Sequence, residues 1–260
     1  MKSVGLVPGL IAAGCLIVGA GDARAQGGGS ACKDLPSHGA LQAALAAAQN
    51  QANGGFGLEM WASVVNRDGV VCAVAFTGGD RGDQWPGSRV ISAQKANTAN
   101  AFSLPGLALS TAQLYSAVQP GGSLFGLQAS NPVDTNVAYG GNPAHNGQAN
   151  DPMVGGRIGG VNVFGGGLAL YNSAGTLVGA VGVSGDSSCA DHNIAWRVRS
   201  TLNLDYVPGG VSPDAARPDN IVYDIVAQPG QMPGVSASGW GHPACSAAAT
   251  AIAAGLPVTK

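Results

Sequence analysis

The stretch GAVGVSGDSSCADHN, residues 179–193, holds three serines, two aspartates and a histidine within fifteen positions. Serine beside histidine and carboxylate is the raw material of nucleophilic acyl transfer, provided a base comes within hydrogen-bond reach of the hydroxyl. Ser184 does not meet the known geometry. A strand-to-helix serine elbow needs G-x-S-x-G, and in Gly182-Val183-Ser184-Gly185-Asp186 the second glycine falls one position early. His192 follows Ser187 by five residues on what reads as one helix, a poor placement for a base. The alternative reading is a strand that runs into a capped helix. Asp186, Ser187 or Ser188 then accepts from the first free amides, and Asp191 faces the positive helix end. Such an end also suits a ligand carboxylate.

Other residues with chemical potential are scattered. Lys95 shares a helical stripe with Ile91, Thr98 and Phe102, so its stem packs and its ammonium needs a carboxylate, a helix C-terminus or a ligand anion. His38 opens a helix, His145 and Met153 lie in an irregular region, and His242 sits in Gly239-Trp240-Gly241-His242-Pro243. Trp85, Trp196 and Trp240 offer flat apolar walls, although packing is their ordinary use.

The elements that must position these residues follow from periodicity. Asp34-Leu35-Pro36-Ser37 starts a helix with Leu41, Ala44, Leu45 and Ala48 on one face, and Asn53-Gly54-Gly55 ends it. Leu58–Val65 and Val70–Phe76 read as strands joined by Asn66-Arg67-Asp68-Gly69, with Asp-Gly as the hairpin signal. Ser88 opens a helix to Phe102, and a short helix is expected over Ser110–Val118. Residues 119–160 are rich in Gly, Asn, Pro and Gln with little period, which reads as a surface insertion able to cover a pocket. Val161–Phe164, Leu168–Tyr171 and Thr176–Val183 are further strands, with a turn at Asn172–Gly175, before a helix over Ser188–Leu202. The tail adds a strand at Ile221–Ile225 and an alanine-rich segment after Cys245. The expected fold is α/β of the α+β type: an antiparallel sheet of about five strands flanked by helices, with a long Gly/Asn-rich insertion.

Composition narrows the function classes. Lys2, the apolar run Val4–Ala20 and Ala23-Arg24-Ala25 read as a signal peptide over residues 1–25. Lipoprotein processing at Cys15 is the lesser reading, because bulky apolar residues follow it. Residues 26–260 carry 10 basic and 13 acidic side chains with no basic cluster, which argues against nucleic acid and anionic membranes as partners. Cys32, Cys72, Cys189 and Cys245 remain after export, an even count that favours two disulfides in any of three pairings. The chain divides into a linker 26–33, a core 34–118 and 161–204 interrupted by 119–160, and an extension 205–260.

Several motifs in that core resemble one family. Gly179-Ala180-Val181-Gly182-Val183-Ser184-Gly185, followed by Asp191 and Ala195, is similar to the closing signature of the GlcG/HbpS-like haem-binding family. Val64-Val65-Asn66-Arg67-Asp68-Gly69 resembles its strand–Asp-x-Gly hairpin, and Ala93-Gln94-Lys95-Ala96-Asn97-Thr98-Ala99 its helical K-A-x-T-A motif. The similarity covers 41–102 and 166–204. Phe102-Ser103-Leu104-Pro105-Gly106 departs from the common Phe-x-x-Pro-Thr and lacks the threonine hydroxyl. Gly185-Asp186-Ser187 is also similar to the start of a GDS esterase, but Ser188 replaces the leucine expected next and the motif comes late.

The resemblance implies a small oligomeric domain that binds haem, with some members linked to haem degradation or sensing. Together with the signal segment, which places the chain in the periplasm or outside the cell, it implies a homo-oligomer that holds haem, or a similar flat apolar ligand, non-covalently. His192 is then the expected iron ligand, with His38 and His242 as other histidine candidates and Lys95, Thr98 and Ser187 as contacts to the haem edge. Alternatives are a haem-degrading or small-molecule oxidoreductase and a non-catalytic oligomeric module of the envelope.

Overall fold

The computed structural model describes residue 1, residues 31–229 and residues 231–260. The expected signal segment lies outside the described residues. Ser37 caps helix α1 (His38–Gln49) by accepting from the Ala40 amide at 3.3 Å. Leu41, Ala44, Leu45 and Ala48 form its buried face, as their spacing requires. Strands β1 (Trp61–Asn66) and β2 (Val71–Phe76) pair antiparallel. Gly69 turns between them at φ +75°, and the Asn66 carboxamide accepts from the Asp68 and Val70 amides at 2.9 Å each.

Helix α2 (Ser88–Phe102) follows, then 3₁₀ turns at Thr111–Leu114 and Ser116–Val118 where one short helix was expected. The insertion contains α3 (Leu127–Ser130), α4 (Thr135–Tyr139) and a 3₁₀ turn at Pro143–His145. Strands β3 (Gly167–Tyr171) and β4 (Leu177–Ser184) lead into α5 (Ser188–Thr201). The tail forms the ribbon β5 (Ile225–Gln228) and β6 (Gln231–Ser236), then α6 (Ala247–Ala254).

The main sheet has four antiparallel strands in the order β2-β1-β4-β3. Its two faces are read from alternate residues of each strand. Ala62, Val64, Val181 and Val183 pack toward α1 and α5, while Trp61, Val65 and Ala180 pack with Val90, Ala93 and Ala96 of α2. A β-carbon at Gly182 would collide with the Ser92 carbonyl oxygen and the Ala96 amide nitrogen, so glycine there lets α2 lie directly on β4.

The sheet has four strands rather than about five, because Val161–Phe164 does not join it. Two of its amides are taken by side chains: Asn162 donates to the Thr98 hydroxyl at 2.9 Å, and Phe164 donates to the Asn162 carboxamide at 3.1 Å. Gly159 and Gly160, both at positive φ, turn the chain just before it. The tail strand starts at Ile225, where Ile221–Ile225 was expected. The insertion is only partly a surface feature. Met153 and Ile158 are fully buried against Val74 and Ala93, and Asp151 pairs with buried Arg89 from α2. The disulfides are Cys32–Cys72 and Cys189–Cys245. Among the described residues no helix is long and apolar enough to cross a membrane.

Candidate functional site

The first turns of α5 gather most of the chemically capable side chains. The helix starts here because Ser187 takes an extended backbone and its hydroxyl accepts from the Ala190 amide at 3.4 Å. Asp191 stands one turn in and receives Lys95 from the neighbouring helix. The Lys95 ammonium donates to Asp191 Oδ2 at 2.7 Å and to the Val183 carbonyl at 3.0 Å, and both side chains are almost fully enclosed. Burial lowers the Lys95 pKa and raises that of Asp191 to about 6, each opposed by the partner's charge. The ammonium therefore has its carboxylate inside the protein. Asp191 Oδ1 also accepts from the Asp186 amide at 2.9 Å, which ties the strand end to the helix.

Thr98, one turn after Lys95 on α2, is equally committed. Its hydroxyl donates to the Gln94 carbonyl at 2.7 Å and accepts from Asn162. Its role in the fold is to hold the segment that fails to become a strand.

His192 is fully buried. Its Nε2 lies 3.1 Å from Asn220 Oδ1 and 3.2 Å from the Ile221 amide, and Nδ1 has no hydrogen-bond partner among the described residues. Burial drives its pKa down to about 4, so the ring is neutral at pH 7. The adjacent Arg199–Asp219 pair, 2.8 Å between Nη2 and Oδ1, closes the same interior.

His242 is brought beside Ser188. Its Nε2 lies 2.7 Å from Ser188 Oγ and its Nδ1 2.7 Å from the Pro243 carbonyl. Burial lowers its pKa to about 4 as well. Nothing in the sequence pairs Ser188 with a residue 54 positions later; only the closeness of each to a cysteine hinted at it.

His38 stands apart from this cluster. It is half-buried at the start of α1, and its Nε2 donates to the Gly147 carbonyl at 2.9 Å. A carbonyl only accepts, so the ring proton is on Nε2 and the Nδ1 lone pair is uncommitted among the described residues. The exposed His145 is two residues from that carbonyl. The structure thus joins Lys95, Ser187, His192 and His242 around α5 and sets Thr98 and His38 elsewhere.

A cleft of about 330 Å³ opens between the α1–β1 loop and the start of α5, with Asn53, Phe56, Leu58, Asp186 and Ile194 in its walls. None of the six candidates lines it. The Asp186 carboxylate there accepts the Phe56 and Gly57 amides at 2.8 Å each, so it serves to close the loop.

Residues 37–199 match the family described as haem degrading protein HbpS-like. Among solved structures, the chain is similar to a PduOC–haem complex at 25% identity, covering 65% of this chain and 96% of that one with a TM-score of 0.45. Protein ORFY of Klebsiella pneumoniae is similar at 25% identity, over 64% of this chain and 90% of its own, with a TM-score of 0.43. A double mutant of HbpS from Streptomyces reticuli is similar at 16% identity, over 76% and 99% respectively, with a TM-score of 0.40. No curated protein matches.

Proposed function

Because the chain belongs to the HbpS-like family of haem-degrading proteins, we propose that it binds haem non-covalently outside the cytoplasm. The family match across residues 37–199 carries this reading. Two disulfides and the apolar run Val4–Ala20 support export.

The donor chemistry bears on which residue meets the iron. An iron-binding histidine ordinarily donates its second ring N–H to a carbonyl or carboxylate and keeps the other nitrogen bare. His38 has that arrangement through Gly147 and is half-exposed. His192 is fully enclosed, His242 is enclosed with both ring nitrogens taken by Ser188 and the Pro243 carbonyl, and Lys95 is paired with Asp191, so these residues support the fold around the site. We therefore assign iron ligation to His38, with the 143–147 segment of the insertion as the neighbouring wall. Iron would supply the redox chemistry when haem is bound; the chain would supply His38 as its ligand.

Titrating haem into residues 26–260 while following the Soret band tests the reading. A saturable Soret shift is expected, with affinity at least tenfold weaker in His38→Ala and unchanged in His192→Gln. Absence of any shift removes the haem reading, and loss of the shift in His192→Gln alone moves the ligand to the interior. The family's description favours haem breakdown as a second reading. It predicts that bound haem bleaches faster than free haem when a reductant is added in air.

A further inference from the structure

Ser188 and His242 make a contact that haem binding does not use. Ser188 is the first residue of α5 and His242 lies in the tail, yet Oγ and Nε2 are 2.7 Å apart. The Pro243 carbonyl accepts from Nδ1 at 2.7 Å, which places the ring proton on Nδ1 and turns the Nε2 lone pair toward the serine hydroxyl. The Gly165 amide donates to Ser188 Oγ at 2.9 Å, favouring negative charge on that oxygen. The pair is held from both sides. Cys189, next to Ser188, is disulfide-bonded to Cys245, three residues after His242. The His242 amide donates to the Val222 carbonyl at 2.8 Å, and the Ser116 hydroxyl donates to the Gly241 carbonyl at 2.6 Å.

The surroundings are aromatic and only partly enclosed. Ser188 is half-buried. The Tyr115 ring centroid lies 5.0 Å from the His242 ring and 6.4 Å from that of Phe164, which is 47% exposed. We propose that Ser188 is a nucleophile activated by His242, and that the dyad takes the acyl group of esters with short apolar acyl chains. Ser188 Oγ attacks the ester carbonyl carbon as its proton passes to Nε2. The adduct then breaks the bond to the alkoxide, which leaves with that proton. Water, giving a proton to Nε2, attacks the acyl-serine; the carboxylic acid departs as Ser188 regains its proton. The positive end of α5 favours the negative charge that develops beside Ser188. Burial keeps the imidazole neutral but makes it a weak base, so turnover is slow and covalent capture is the sensitive readout.

The test uses the disulfide-intact chain, an alkyl fluorophosphonate and intact-mass spectrometry, with 4-nitrophenyl butyrate as the ester. One adduct, mapped to Ser188, is expected, together with slow nitrophenol release. Ser188→Ala should abolish labelling, and His242→Gln should slow it about 100-fold. A folded wild type that stays unlabelled overturns the proposal without reference to any variant. A label on another residue, or one on Ser188 that is indifferent to His242→Gln, overturns it too.

Discussion

His192 and His242 are held neutral in the interior, and their effect shows in acid. Desolvation by burial is the leading cause in both, and it lowers each pKa from 6.5 to about 4. A histidine whose folded pKa is depressed contributes stability that is complete above its unfolded value and is lost as pH falls from 6.5 through 4. At 1.36 kcal/mol per pKa unit, each ring accounts for roughly 3 kcal/mol. Asp191 works the other way. Its carboxyl is raised from 3.8 to about 6, so its contribution is complete below the unfolded pKa and is lost as pH rises through 6. Two rings outweigh one carboxyl of similar size. Urea midpoints should therefore fall from pH 7 to pH 4, with a shallower slope in His192→Gln. A midpoint that rises toward pH 4 would mean Asp191 dominates. That a histidine lay on the closing helix could be read from residues 188–202; its burial could not, because Asn220 and Ile221 enclose it from outside that helix.

At the scale of elements, the Lys95–Asp191 pair joins α2 to α5 across the end of β4. Removing one member of a buried ion pair leaves a charge without water or partner, at about 3–5 kcal/mol. Lys95→Met alone should lose that much in chemical denaturation. Lys95→Met with Asp191→Leu should recover more than half of it, because the buried charge disappears with its partner. If the double variant is no better than the single, hydrogen bonds to Val183 and Asp186 outweigh the charge. The stripe containing Lys95 was legible because Ile91, Thr98 and Phe102 recur at helical spacing, and that pattern already required a partner for the ammonium. It did not say which of several carboxylates, since the pairing crosses 96 residues of chain. The hairpin and the β3–β4 pair were legible for the same local reason: alternation and turn residues act over short distances. Val161–Phe164 reads as a strand from composition, yet Thr98 and Asn162 side chains take two of its amides and no ladder forms. Hydrogen bonds from side chains are invisible to a hydrophobic period.

For the whole molecule, the boundary of the family match at residue 199 is not a boundary of the core. Ile221, Ala249, Ala253 and Leu256 from the tail lie in the same apolar cluster as Leu45 and Val183. Polar bonds follow the same route: the Trp196 indole donates to the Pro257 carbonyl at 2.9 Å, and Asn193 donates to the Ala249 carbonyl at 3.1 Å. From sequence this segment reads as an extension, since glycine and proline break its period and its contacts are all distant. The even cysteine count implied two bridges but left three pairings, because thiols carry no code for their partner. Cys189–Cys245 spans 56 residues and fastens the tail onto the first turn of α5. On the chain-entropy account, a loop of that length contributes about 4 kcal/mol. Cys189→Ala with Cys245→Ala should therefore lower the melting temperature by roughly 10 °C in a chain of this size, with one cooperative transition retained. Cutting after residue 204 removes the apolar partners as well as the crosslink, so it should abolish cooperative melting and expose dye-binding apolar surface. A truncated chain that melts cooperatively near the full-length temperature would make the tail a lid over an independent domain. The interior position of Ile221 and Leu256 argues against that outcome, because removing them opens the α5 side of the core to water.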